Sequence, residues 1–216
     1  MTDYAALREA MVERQIAGRG LTGAPLLAAM RAVPREAFVP EAMKAFAYED
    51  GPLPIEAGQT ISQPYIVALM IEAAGVAPGS RVLEIGAGSG YAAAVLSRIA
   101  AEVIGIERHG ALADLAAARM AQLGYANVRI VAGDGSAGWP GGVPYDAILA
   151  AASGSHVPEV LKRQLAIGGA LVMPVGAPGE VQNLVRVVRQ SEESWAQDSL
   201  GAVRFVPLIG EEGWAE

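Results

Sequence analysis

The sequence predicts an α/β protein with a doubly wound, mostly parallel sheet of seven strands and a helical N-terminal extension. From Arg81 onward, apolar runs of strand length alternate with segments of helical spacing, which is the order of a parallel sheet covered by helices. The first of these strands ends at Ile85 and runs directly into three alternating glycines. A strand, a glycine turn and a helix in this order form the opening of a nucleotide-binding sheet.

The glycine turn and two later carboxylates predict a nucleoside site. Gly86, Gly88 and Gly90 lie in R-V-L-E-I-G-A-G-S-G-Y, and their missing side chains let a ligand come close to the backbone. The second strand ends on Glu107, which can accept both ribose hydroxyls, and the third runs into Asp134. The G-x-G-x-G spacing differs from the G-x-G-x-x-G of dinucleotide enzymes. We therefore expect S-adenosylmethionine rather than NAD.

The chain is predicted to form one domain, with an extension over residues 1–78 and the α/β core over residues 79–216. Two prolines and two glycines between Tyr48 and Thr60 indicate a loop. The helix that follows this loop is expected to carry Ile66, Met70 and Ala73 on one face. The predicted helices of the extension are Asp3–Ala17, Pro25–Val33, Pro40–Phe46 and about Tyr65–Ala74.

The core is predicted to alternate strands and helices up to its last segments. A Gly168-Gly169 turn is expected to lead into the fifth strand, and the apolar segment A-V-R-F-V-P-L is interpreted as the last strand. The predicted strands are 82–85, 102–108, 127–132, 145–151, 170–175, 181–188 and 202–208. The predicted helices are 91–99, 111–123 and 158–165.

Composition excludes several classes of function. The chain has 216 residues, 52% of them hydrophobic and 18% charged, which favours a folded protein with a sizeable core. The net charge of -7 disfavours binding to nucleic acid or to an anionic membrane. The absence of cysteine excludes disulfides, thiolate catalysis and Cys-ligated zinc, and no metal site is expected. Charged residues near the N-terminus and the lack of a long apolar run predict a soluble, cytoplasmic protein.

Taken together, the motifs resemble those of the protein-L-isoaspartate O-methyltransferase family over most of the chain, from about Met11 to Leu208. The most specific motif is G-Q-T-I-S-Q-P-Y, at Gly58–Tyr65. The resemblance also rests on V-P-R-E-A-F-V-P, A-Y-E-D, the glycine turn, G-D-G, G-W-P and R-F-V-P-L. It implies a Rossmann-like fold and methyl transfer from S-adenosylmethionine to the α-carboxylate of L-isoaspartyl residues. The ester then closes to a succinimide, which reopens partly to normal aspartate and so repairs an aged protein.

The resemblance also implies the site residues. Ser62 is the family's active-site residue, although a Ser at this place can also cap the helix that follows it. Residues 59–61 are expected to close over the cofactor. The residues expected to bind the cofactor are Gln59, Thr60, Ile61, Ser62, Gly86, Gly88, Ser89, Gly90, Glu107, Arg108, Asp134 and Gly135.

The predicted chemistry requires no general base. A carboxylate has a pKa near 4 and is ionised at neutral pH, and the sulfonium methyl group is already activated. Catalysis then consists mainly of aligning the reacting atoms and excluding water. This agrees with the lack of a Ser-His-Asp set, and it predicts that His156 is not needed for turnover.

The sequence departs from the family pattern at a few positions, and these leave alternatives open. Glu56, Ala57, Ala87 and Ala92 replace more usual residues, and A-A-A-S-G-S-H-V at Ala150–Val157 replaces the common T-A-A-A-P form. The last change lies beside the expected substrate site. One alternative is therefore a methyltransferase that acts on another carboxylate or a small molecule. A second is a non-catalytic cofactor-binding protein, and a dehydrogenase is the least favoured. Oligomeric state leaves no signal in the sequence.

Overall fold

A computed structural model describes residues 2–215 and contains a seven-stranded sheet with the strand order β5-β4-β3-β6-β7-β8-β9. The strands of this sheet are β3 (Arg81–Ile85), β4 (Glu102–Glu107), β5 (Val128–Ala132), β6 (Tyr145–Ala150), β7 (Leu165–Val175), β8 (Gln182–Arg189) and β9 (Trp195–Val203). Strands β3 to β7 pair in parallel, whereas β8 and β9 are antiparallel additions at one edge. The predicted mostly parallel sheet is therefore confirmed. Its order reverses beside β3, between β4 and β6, where an open α/β sheet forms its ligand crevice.

Helices cover the sheet, and the extension adds further helical turns. The α-helices are α1 (Tyr4–Met11), α2 (Ala24–Ala32), α3 (Pro64–Ala73), α4 (Tyr91–Ser97), α5 (Gly110–Leu123) and α6 (Glu159–Gln164). A π-helical turn at Val12–Ile16 continues α1, and 3-10 turns occupy Arg35–Phe38 and Glu41–Phe46. Among the described residues, no helix is long and apolar enough to cross a membrane.

The extension shares one hydrophobic core with the sheet. Met30 and Phe38 of the extension are fully buried, and they belong to the same cluster as Tyr91 and Val95 of α4. The rings of Phe38 and Tyr91 meet edge to face with centroids 5.6 Å apart, an arrangement that stabilises aromatic pairs. The extension is thus fixed against the helix that follows the glycine turn.

The structure corrects two strand predictions. The last strand is β9, and Arg204–Leu208 lies beyond it, where Ser153 donates its N–H to Val206 O and accepts from Leu208 N. Strand β9 was missed because an edge strand has one ladder neighbour and can carry polar residues on an exposed surface. The fifth strand begins at Leu165, so Gly168-Gly169 lies inside it. A Cβ at Gly169 would lie 2.9 Å from Asp146 O, so this glycine accommodates a register shift rather than a turn.

One smaller expectation in the extension was also wrong. The predicted loop at 48–60 contains a short antiparallel pair, β1 (Leu53–Pro54) with β2 (Thr60–Ile61). Helix α3 buries Val67, Met70 and Ile71, whereas Ile66 and Ala73 are only partly buried. Ile66 and Val67 also line the cavity described below.

Candidate active site

The glycine turn is held against the neighbouring strand by its own backbone. The N–H groups of Gly86 and Ala87 both donate to Ile106 O, at 2.8 and 3.0 Å. Gly86, Gly88 and Gly90 have φ values of 79°, 55° and 88°, a region that favours glycine. A Cβ at Gly90 would also lie 2.8 Å from the terminal methyl of Met120. Backbone conformation therefore requires glycine at all three positions, and close packing against α5 requires it at Gly90 as well.

Glu107 closes this turn with its carboxylate. One oxygen accepts from Gly88 N and the other from His109 N, each at 2.9 Å. Only 4% of the residue is exposed, so it is not a solvated strand end. A carboxylate has about four acceptor positions. The two N–H bonds fix its orientation and leave one position on each oxygen for a ligand.

A second buried carboxylate, Glu84, was missed in the sequence. It lies in the middle of β3, lines the same cavity as Glu107, and its Oε2 has no hydrogen-bond partner among the described residues. Burial, reinforced by the negative charge of Glu107, raises the pKa of the Glu84 carboxyl to about 8. A charged residue inside the apolar run V-L-E-I was the signal that could have revealed it.

Asp134 is held by the C-terminal segment. Its oxygens accept from Ser136 N at 2.8 Å and from Glu211 N at 2.7 Å. Although burial works in the opposite direction, these N–H groups lower the pKa of Asp134. Asp134 lines a smaller cavity of about 470 Å³ that shares Arg108 and Ile209 with the main cavity. Asp134 thus lies beside the main cavity rather than in its wall.

The loop that carries Ser62 lies opposite the glycine turn. Its geometry is set by β1 and β2 and by a bond of 2.9 Å from Ile55 N to Gln59 O. Ala57 sits at the tip with φ 56°. Helix α3 begins at Pro64 with Gln63 as its N-cap, so Ser62 is not the capping residue. The backbone carbonyl of Ser62 accepts from the buried side chain of Arg35 at 2.8 Å.

These elements enclose one cavity of about 990 Å³, at the upper end of the range for small-molecule sites. Its walls are the Ser62 loop, the glycine turn with Glu107, and the C-terminal stretch 202–209. The predicted site residues that line it are Gln59, Thr60, Ile61, Ser62, Gly86, Gly88, Ser89, Glu107, Arg108 and Gly135. Gly90 and Asp134 are not among its lining residues.

Sequence reasoning missed part of the wall. Residues 202–208 were predicted to be the last strand, but Arg204–Leu208 lies beyond β9 and lines the cavity, with Val206 and Leu208 bonded to the backbone of Ser153. Its apolar residues serve both the cavity wall and the core, because Phe205 packs on one hydrophobic cluster and Val206 and Leu208 on the other. His109 also lines the cavity at the start of α5. His156 is exposed and pairs with the Ser155 hydroxyl at 2.9 Å, and it does not line the cavity.

Comparison with known proteins supports the resemblance seen in the motifs. The family model for protein-L-isoaspartate(D-aspartate) O-methyltransferase matches residues 6–213. Protein-L-isoaspartate O-methyltransferase 1 of Rhodopseudomonas palustris (strain HaA2) is 64% identical over 99% of this chain and 87% of its own length. Protein-L-isoaspartate O-methyltransferase 2 of Pelobacter propionicus is 56% identical over 96% of this chain and 92% of its own.

Solved structures give the same result for the fold. A protein-L-isoaspartate O-methyltransferase aligns with a TM-score of 0.86 at 30% identity, over 95% of this chain and 66% of that one. A Plasmodium falciparum protein assigned to the same enzyme class, in complex with S-adenosyl-L-homocysteine, aligns with a TM-score of 0.80 at 26% identity, over 94% of this chain and 98% of that one. With the family model covering nearly the whole sequence, the chain belongs to the protein-L-isoaspartate(D-aspartate) O-methyltransferase family of enzymes.

Proposed function

We propose that the cavity binds S-adenosylmethionine together with an L-isoaspartyl residue of a damaged protein, and that the chain methylates the α-carboxylate of that residue. The observation that carries this proposal is that Ser62, the glycine turn and Glu107 line one cavity although they are far apart in the sequence. The volume of about 990 Å³ leaves room for a substrate residue beside a nucleoside cofactor.

The residues present fit the cofactor. Glu107 is fixed by two N–H bonds and keeps a free acceptor position on each oxygen, which suits the two hydroxyls of a ribose. Gly86 and Gly88 allow close approach of the backbone at the same edge. We propose that Arg108 and Gly135 border the adenine end, and that Asp134 reaches it from the adjoining smaller cavity.

The reaction needs alignment more than proton transfer. S-adenosylmethionine supplies a methyl group that is activated by its sulfonium. A carboxylate oxygen of the substrate forms the new bond to the methyl carbon, the carbon–sulfur bond breaks, and its electron pair stays on sulfur. No proton moves in this balance, so the chain has to hold the carboxylate in line and to exclude water.

Ser62 is proposed to hold the carboxylate through its hydroxyl. The isoaspartyl linkage routes the main chain through the side-chain carbon and leaves the α-carboxylate on a short branch. In normal aspartate the free carboxylate lies one methylene further from the backbone. A site that fixes the neighbouring backbone therefore brings only one of them to the methyl group. We propose that the Ser62 loop and the segment Arg204–Leu208 provide this fixation from two sides of the cavity.

We also propose that the extension and the α/β core act as one catalytic domain. Residues 1–78 supply Ser62, whereas residues 79–216 supply the glycine turn and Glu107. The hydrophobic cluster that joins Phe38 to Tyr91 supports this view.

The deciding experiment is transfer of a radiolabelled methyl group to an isoaspartyl peptide beside its aspartyl isomer. We expect label on the isoaspartyl peptide only. Label on the aspartyl isomer, or on a small carboxylic acid instead, would favour the alternative substrate class. Cofactor binding without labelling of any of these would favour a non-catalytic protein.

A further inference from the structure

Arg35 is a buried cation that no carboxylate neutralises within the part of the chain that the structure describes. The residue is 0% exposed. Its Nε donates to Ala47 O and its Nη2 to Ser62 O, both at 2.8 Å. Its Cζ lies 4.8 Å from the centroid of the Tyr91 ring. Nη1 has no hydrogen-bond partner among residues 2–215.

Burial of the Arg35 guanidinium without a carboxylate partner does not favour the stability of the folded protein. Removing a charge from water is costly, and well-packed apolar residues often replace buried ionic groups without loss of stability. In agreement with this cost, burial lowers the pKa of the Arg35 guanidinium. Residues that do not favour stability are expected at functional sites. Two of the residues that Arg35 contacts line the candidate active site.

Two of the three residues that Arg35 contacts, Ser62 and Tyr91, line the cavity. Ser62 O belongs to the loop that carries the proposed carboxylate-binding hydroxyl. Tyr91 is the first residue of α4 and follows Gly90 of the glycine turn directly. Because the guanidinium is a rigid planar fork, its contacts fix the position of the Ser62 backbone relative to the cofactor side of the site.

We propose that Arg35 is a positioning residue for methyl transfer. Through its hydrogen bond to the Ser62 carbonyl, Arg35 holds Ser62 at a fixed position relative to the glycine turn. The inference rests on the function proposed above and assigns Arg35 no contact with substrate. Misplacing a reacting group by about 1 Å can cost on the order of 100-fold in rate. The effect of Arg35 should therefore appear in kcat and depend on the Ser62 hydroxyl.

A double-mutant cycle with Arg35→Met and Ser62→Ala tests this dependence. We expect Arg35→Met to lower kcat about 10- to 100-fold, with KM and the affinity for S-adenosylhomocysteine changed less than about 3-fold. In the Ser62→Ala background the same substitution should lower kcat less than about 3-fold, because residues that act as a unit are not additive. Arg35→Lys keeps the charge but not the fork, and it should recover only part of the rate.

The matched control is Arg31→Met, which removes an arginine of the same extension from an exposed ion pair with Glu9. It should leave kcat unchanged. Equal losses of kcat from Arg35→Met in both backgrounds would overturn the inference in favour of a general structural role. Unchanged kcat in Arg35→Met, or in Ser62→Ala, would also overturn it.

Amide hydrogen exchange provides a readout that does not depend on turnover. Arg35→Met should speed exchange at residues 59–63 and leave β3 and β4 unchanged, whereas Arg31→Met should alter neither. If the folded wild type methylates no isoaspartyl peptide, the proposed function fails, and the exchange experiment still decides whether Arg35 holds the loop. If exchange at residues 59–63 is unchanged in Arg35→Met, the inference is overturned. If Arg35→Met does not fold, exchange is compared between the wild type and Arg35→Lys instead.

Discussion

Replacing Glu107 by Ala should weaken binding of the cofactor, because we propose that this carboxylate accepts the ribose hydroxyls. Its two backbone bonds, from Gly88 and His109, hold it in place before any ligand arrives. Each hydrogen bond to a charged group contributes about 1.5–3 kcal/mol. Since 1.4 kcal/mol corresponds to a factor of ten, a net loss of about 1.5–3 kcal/mol on removal of the carboxylate raises Kd about 10- to 150-fold.

Isothermal titration with S-adenosylhomocysteine measures this change directly. Glu102→Ala is the matched control, because Glu102 begins the same strand β4 but is exposed and pairs with Arg81 at 2.7 Å. The control should keep the wild-type Kd. Glu107→Gln should bind almost as poorly as Glu107→Ala, because its NH₂ group would face the N–H of Gly88 or His109. A folded Glu107→Ala protein with wild-type affinity would remove Glu107 from the site.

Three further predictions follow from the same geometry. Ser62→Ala should lower turnover of the isoaspartyl peptide about 10- to 1000-fold in steady-state kinetics while cofactor affinity stays near normal; wild-type turnover would show that the hydroxyl does not hold the carboxylate. His156→Ala should leave turnover nearly unchanged, because this exposed side chain lies outside the cavity wall; a large loss with intact cofactor binding would contradict the base-free reaction. Glu84 keeps its proton up to about pH 8 in the folded state, whereas the unfolded state loses it near pH 4.5. The free energy of unfolding should therefore fall as the pH rises between these two values, by up to about 1.4 kcal/mol per pH unit. Denaturant titrations should show this slope in the wild type and not in Glu84→Gln, and equal slopes in the two proteins would show that Glu84 does not hold its proton.

The elements predicted well are those whose signal is local. The strand at Arg81–Ile85, the turn at Gly86–Gly90 and helix α4 follow from an apolar run, from positive φ values and from helical spacing, all within a few residues. The last strand was placed wrongly because its signal is not local. The segment Arg204–Leu208 is apolar because it lines a cavity and packs against the core, whereas β9 is a largely exposed strand at the sheet edge. An apolar run in the sequence indicates that the segment is buried. It does not indicate whether the segment is a strand of the sheet or part of a cavity wall.

The sequence by itself determined the fold class, the family and most of the candidate site, because the G-Q-T-I-S-Q-P motif and the glycine turn are contiguous and specific. It also predicted that Glu107 lies at the ligand edge of the sheet, because Glu107 ends a parallel strand, and Glu107 does line the cavity. Only the tertiary structure decided how these pieces meet. Arg35 donates to Ser62 O across 27 positions of the sequence, and Glu211 N donates to Asp134 across 77 positions. Such contacts depend on how separate elements pack, and no local pattern of residues encodes that packing.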